Sequence, residues 1–203
     1  MKVSIYKKVV ILVLAGVFLA GCERGEPARE LSGGKQAPGF TLNNYDGEQV
    51  SLSGYKGRIV VLEWFNYDCP FVKYHYEKAK TMTSLADKYK GEDVVWIAIN
   101  STNYAGAESN KAFAEKHQLS YAILDDSSGK VGRAYDAKTT PHIFVINKEG
   151  MIVYSGAIDD SPMGGKGEAA VNYVDKVLSE LIGDKEVSIS NTKPYGCSVK
   201  YAN

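Results

Sequence analysis

Two runs that are apolar at nearly every position, residues 59–65 (IVVLEWF) and 93–99 (DVVWIAI), constrain this chain more than any other feature. An unbroken apolar run of strand length has no polar face to turn to water, so it fits a strand buried on both sides within a helix-covered sheet. Between the two runs, Val72, Ala79, Met82, Leu85, Ala86 and Tyr89 recur at spacings of three, four or seven. That period predicts one helix over residues 70–89, stopping before Gly91. Strand, helix, strand in this order calls for parallel pairing through a right-handed crossover.

The flanking segments extend the unit into a single domain. Residues 40–42 and 49–52 read as short strands about Asn44-Tyr45-Asp46-Gly47, where Asp-Gly supplies the positive-φ positions of a hairpin. Residues 107–117 read as a helix, 121–124 as a short strand and 130–135 as a helical turn or two. After Thr140-Pro141, residues 142–146 (HIFVI) and 151–154 (MIVY) flank Asn147-Lys148-Glu149-Gly150 and predict an antiparallel hairpin. Ala170, Tyr173, Val174, Val177, Leu178 and Leu181 place one apolar side on a closing helix over residues 167–182. Beyond Gly183 no period is visible, and the chain has no internal repeats.

The N-terminus carries Lys2, Lys7 and Lys8 ahead of an apolar run that ends in small residues before Cys22. The run is short against the roughly 20 residues needed to span a bilayer, so residues 1–21 read as an export signal that is removed. The stretch Leu19-Ala20-Gly21-Cys22 resembles a bacterial lipobox, and that resemblance implies lipid attachment at Cys22. Residues 22–36, charged and rich in Pro and Gly, read as a flexible tether. The folded domain is expected over residues 37–183, and residues 184–203 form a tail that carries Cys197. Loss of the signal removes three lysines and no acids from a chain with 24 basic and 24 acidic residues. No basic surplus remains to suggest a nucleic-acid partner. The expected location is a lipid-anchored position on a bacterial membrane, facing the periplasm or the outside. Glu23, where an Asp would favour inner-membrane retention, weighs toward the outer membrane. An extracytoplasmic compartment lets a disulfide between Cys69 and Cys197 persist.

Cys69 sits where the first apolar strand gives way to a helix, in WFNYDCPFVKYHY. Pro70 suits the first helical position, which makes Cys69 the N-cap and aims its sulfur at unpaired backbone amides. Such placement favours the thiolate, the reactive form of cysteine. Lys73 adds positive potential one turn on, and Asp68 opposes it. The alternative is a buried cysteine that acts only as a small apolar side chain.

The residues 37–65 (APGFTLNNYDGEQVSLSGYKGRIVVLEWF) and 131–160 (VGRAYDAKTTPHIFVINKEGMIVYSGAIDD), with the helices between, resemble the redoxin branch of the thioredoxin superfamily. Within it the chain resembles peroxiredoxin-like, AhpC/TSA-like lipoproteins with a single cysteine at the active-site position. The implied fold is α/β, a thioredoxin-like three-layer arrangement with a central mixed sheet and an added N-terminal hairpin. Thioredoxins carry Cys-x-x-Cys at this junction; here Cys69 is present and Val72 stands in place of the second thiol. The Thr or Ser and the Pro that precede a peroxide-reacting cysteine in typical peroxiredoxins are also missing, which argues against fast peroxide reduction. The resemblance further implies that Pro141 is a cis-proline packed over Cys69, and that Thr140 offers its backbone to an extended thiol-bearing partner by strand-like pairing.

The expected function is therefore an extracytoplasmic thiol oxidoreductase with Cys69 as nucleophile, antioxidant or disulfide-exchanging in kind. Its partners would be an external thiol reductant or a disulfide-bearing protein. Cys197, in KPYGCSVKY, has three readings. It resolves an adduct on Cys69, or it forms a permanent staple worth roughly 5 kcal/mol in the loop-entropy model, or it stays unpaired. A binding lipoprotein that keeps the fold without catalysis is the competing class. No cofactor motif is present, and His75 and His142 lack the spacing that would make a metal site with Cys69.

Overall fold

The computed structural model describes residues 34–202, so the expected signal, Cys22 and most of the tether lie outside the described residues. The chain is ordered as β1 (Lys35–Gln36), β2 (Thr41–Asn44), β3 (Gln49–Ser51), β4 (Ile59–Trp64), α1 (Pro70–Lys73) and α2 (Thr81–Lys88). There follow β5 (Val94–Asn100), α3 (Ala107–His117), β6 (Ile123–Asp125), α4 (Lys130–Tyr135), β7 (Thr139–Thr140), β8 (His142–Ile146), β9 (Met151–Gly156), α5 (Tyr173–Ile182) and β10 (Cys197–Ser198).

Eight strands form one mixed sheet in the order β1-β9-β8-β4-β5-β6-β2-β3. The two apolar runs lie side by side at its centre, β4 and β5 pairing in parallel from Ile59 against Val94 to Trp64 against Ile99. Every residue of β4 is buried because its alternate side chains enter two different cores. Ile59, Val61 and Phe65 join Val72, Tyr76, Met82, Phe113 and the inner face of α5 on one side of the sheet. Val60, Leu62 and Trp64 join Ile97, Val131, Tyr135 and Phe144 on the other. This is the expected three-layer, thioredoxin-like α/β arrangement, and the N-terminal hairpin is present too, β2 pairing antiparallel with β3 and with β6. The hairpin turns at Gly47, whose φ of +82° favours glycine. Residues 35 and 36 pair with β9, so the sheet begins slightly before Ala37.

Two differences from the sequence reading matter for the site. The helix expected over residues 70–89 is not continuous: after α1 the residues Tyr74–Lys78 form a π-helical turn, and Lys80 takes a left-handed conformation at φ 52° before α2 starts. The extra residue in the wide turn shifts the register, so His75 and Tyr76 both face inward while Ala79, expected to be apolar core, is exposed. The helix expected over residues 167–182 likewise starts only at Tyr173, where the Asn172 side chain caps it by accepting from the Asp175 amide at 2.8 Å.

The tail is part of the fold. Thr192 bonds the Ala157 amide and the Tyr154 hydroxyl, Val199 is buried with the second core, and the Tyr201 ring lies under the Arg133 guanidinium at 4.6 Å. Between these anchors β10 pairs antiparallel with β7, Cys197 opposite Thr140 and Ser198 opposite Thr139.

Candidate active site

Cys69 is the N-cap of α1 with extended backbone and Pro70 behind it, and its side chain is buried. The Thr140–Pro141 peptide is cis, and the Cys69 thiol donates to the Thr140 carbonyl at 2.9 Å. In the thiol form the sulfur makes no cap bond to the helix. Ionised, it becomes an acceptor, and the donors are in place. Burial of Cys69 favours the neutral thiol, but hydrogen bonds from Thr140, from Cys197 and from the Val72 and Cys197 backbone outweigh that penalty and bring its pKa below the ordinary cysteine value. Thr140 Oγ1 has no partner while the sulfur is protonated. A thiolate at Cys69 gives that buried hydroxyl an acceptor.

Cys197 is brought to the same place by β10. Both thiols are free, and Cys197 is half-buried. Its pKa is pushed up to about 11, first by burial and then by the hydrogen bond to Cys69 and the negative charge there. Of the two thiols, Cys69 therefore loses its proton first, while Cys197 keeps its own to higher pH. Gly196 makes the approach possible. Its φ is +120°, and a Cβ there would lie 2.1 Å from the Thr140 carbonyl oxygen.

The expectation of a single cysteine at the active-site position is corrected here. Val72 does fill the place of the neighbouring thiol, but Cys197, set opposite Thr140 beside the Cys69 thiol, supplies a second one from the far end of the chain. The backbone edge at Thr140, expected to be open to an extended partner, is occupied by the chain's own Cys197–Ser198.

Three further groups lie on the elements that carry the site; sequence reasoning passed over Glu63 and weighed His75 and His142 only as metal ligands. Glu63 lies in the middle of β4, wholly buried, on the face that packs against the helix after Cys69. Its Oε2 accepts from the Tyr76 hydroxyl at 2.9 Å and from Trp96 Nε1 at 3.1 Å, while Oε1 is buried without a partner. Burial pushes its pKa up to about 7 against the pull of those two donors. The signal was available, since Glu63 is the one charged residue in IVVLEWF. His75 and Asp159 surround the hydroxyl of Tyr195, two residues before Cys197. Nothing local marks that cluster, because its members come from three distant stretches. His142, beside Pro141, accepts from the Lys138 amide and bonds the Ser155 hydroxyl, so both its ring nitrogens are engaged. Burial keeps its pKa down to about 4.

Comparison with known proteins agrees with this geometry. Residues 33–155 match the AhpC/TSA family model, a span that includes Cys69 and Pro141 and ends before the tail. The chain is 25% identical to the thiol-disulfide oxidoreductase ResA of Bacillus cereus over 151 residues, covering 73% of this chain and 84% of that protein. It is 32% identical over 136 residues to chloroplastic peroxiredoxin Q of Triticum aestivum, covering 62% of this chain and 58% of that protein. Among solved structures, an uncharacterized conserved protein from Geobacillus kaustophilus superposes with a TM-score of 0.75 at 30% identity, over 88% of this chain and 98% of that one. With its family match, its thioredoxin-like fold and its cysteine at the start of the first helix, the chain belongs to the AhpC/TSA family of thiol-based oxidoreductases.

Proposed function

We propose that the protein is a two-cysteine thiol oxidoreductase in which Cys69 attacks a small oxidant and Cys197 resolves the product. The observation that carries this reading is the placement of Cys197 by β10 directly opposite Thr140, the residue whose carbonyl takes the Cys69 thiol; in that setting the Cys69 pKa is lowered and the Cys197 pKa raised. A nucleophile needs the first property, and a thiol held in waiting has the second.

The steps balance without any further group. With a hydroperoxide, the Cys69 thiolate takes the terminal oxygen, the O–O bond breaks, and the departing alkoxide or hydroxide leaves as alcohol or water with the proton that Cys69 gave up on ionising. Cys69 is then a sulfenic acid. Cys197 attacks that sulfur, its proton goes to the departing hydroxide, and a disulfide and water result. With a low-molecular-weight disulfide, Cys69 forms a mixed disulfide and expels one thiolate; Cys197 then displaces the other. Either way an external thiol reductant restores the pair. The names of the relatives cover both chemistries, disulfide exchange in one and peroxide reduction in the other.

Access favours small oxidants. Cys69 is only 2% exposed, and β10 fills the edge where an extended peptide would pair beside it. Cys197 is the more exposed sulfur of the pair. An incoming reductant therefore attacks Cys197, and Cys69, the better leaving group, departs as thiolate. The LAGC stretch ending at Cys22 supports placing this chemistry outside the cytoplasm on a lipid anchor.

A trapping experiment tests the resolving role. Reduced Cys197→Ser protein, given one equivalent of a small aromatic disulfide, is expected to keep the mixed disulfide on Cys69, whereas the native protein clears it. Equal clearance by both proteins would remove Cys197 from the reaction.

A further inference from the structure

We infer that Tyr195 is the positioning residue of the cysteine pair: it docks into a socket built by the helical stretch that starts at Cys69 and so sets Cys197 against its partner sulfur. This rests on the reading of Cys197 as the resolving thiol.

The socket is explicit. Tyr195 donates its hydroxyl proton to Asp159 Oδ1 at 2.7 Å. Its oxygen lies 2.7 Å from His75 Nε2 and, having given up its own proton, accepts from that nitrogen. His75 Nδ1 is then the acceptor for Thr81 Oγ1 at 3.0 Å. Asp159 is fixed in turn by the Ser161 amide at 2.9 Å. The Tyr195 ring packs on Phe71 with centroids 6.0 Å apart and lies near-parallel to the His75 ring at 25°. His75 is wholly buried, and burial holds its imidazole below the usual range against the attraction of Asp159.

The placement of these groups gives the socket its purpose. Phe71 and His75 are four apart, on one side of the helical stretch whose N-cap is Cys69. Tyr195 and Cys197 are two apart, with Gly196 between them reaching Thr140, so both side chains turn toward that helix. One helical stretch therefore carries the nucleophile at its tip and the anchor of the Cys197 segment within its first two turns. On the other side of Cys197, Val199 donates to the Lys138 carbonyl at 3.2 Å. A short strand pinned on both flanks keeps its thiol at high local concentration.

The test reads that concentration directly, as the equilibrium of the Cys69–Cys197 disulfide against reduced and oxidised glutathione. Tyr195→Phe removes the hydroxyl and keeps the ring. It is expected to lower the effective concentration of the pair by about tenfold, the scale of a buried hydrogen bond to a charged group. Tyr135→Phe is the comparator: it deletes a similar buried bond, to the Pro38 carbonyl at 2.8 Å, and leaves the glutathione equilibrium unchanged. If Tyr195→Phe fails to fold by circular dichroism, Phe71→Leu, which removes the ring beneath Tyr195, is read in its place and is expected to lower the same quantity. An equilibrium unaltered in the folded Tyr195 or Phe71 variant overturns the inference while leaving the resolving role intact. A native protein that forms no Cys69–Cys197 disulfide overturns both.

Discussion

Cys197 stands directly opposite Thr140 in a two-residue antiparallel ladder, and Thr140 is the residue whose carbonyl takes the Cys69 thiol at 2.9 Å. The Cys197 segment is thus paired to the backbone edge at which the sequence suggested an extended partner. On the two-cysteine reading proposed above, several measurable consequences derive from its grip on the site.

The two thiols titrate as a pair. Following thiolate absorbance in the reduced protein, we expect a first step below the ordinary cysteine value and a second near pH 11, the value to which burial and the neighbouring charge push Cys197. Cys69→Ser should abolish the early step. If Cys197→Ser abolishes it instead, the assignment of nucleophile is reversed.

Gly196 is expected to tolerate no side chain. Gly196→Ala puts a methyl at 2.1 Å from the Thr140 oxygen in a positive-φ conformation, which costs about 1–3 kcal/mol or forces β10 off β7. Disulfide formation should fall sharply while reaction of Cys69 with a small alkylating reagent speeds up, because the covering strand has lifted. Unchanged rates for both would mean that the pairing is dispensable.

Glu63 should write itself into the pH dependence of stability. Unfolded, its carboxyl titrates near 4.5; folded, near 7. Between those values the unfolded state releases a proton that the folded state retains, so stability declines as pH rises from 4.5 to 7 and levels off above. The decline amounts to about 3 kcal/mol. Denaturant unfolding of Glu63→Gln across this window should show a flatter profile than the native protein; an identical profile would place the titration elsewhere.

Much of this was readable from residue order. The continuous apolar runs, Pro70 after Cys69, and Asp46-Gly47 in the hairpin each act through local backbone or burial preferences, which a sequence displays. The π turn at Tyr74–Lys78 was not readable, because Ala79 keeps a helical period while Tyr76 is recruited inward by Glu63 and Phe113. Nor was β10. Two residues give no period, and the contacts that flank them, such as Tyr195 with His75, are made across 120 positions of sequence. The single-cysteine expectation failed for the same reason, since the second thiol arrives by tertiary contact and not by motif spacing.

The central claim is that Cys69 and Cys197 close into a disulfide in one turnover. Fully reduced protein should be treated with one equivalent of hydrogen peroxide or a low-molecular-weight disulfide and mapped by mass spectrometry without reduction. The account predicts a linked pair of peptides containing Cys69 and Cys197, with the loss of two hydrogens and no adduct retained. A sulfinic acid or lasting adduct on Cys69 beside a free Cys197 would contradict it.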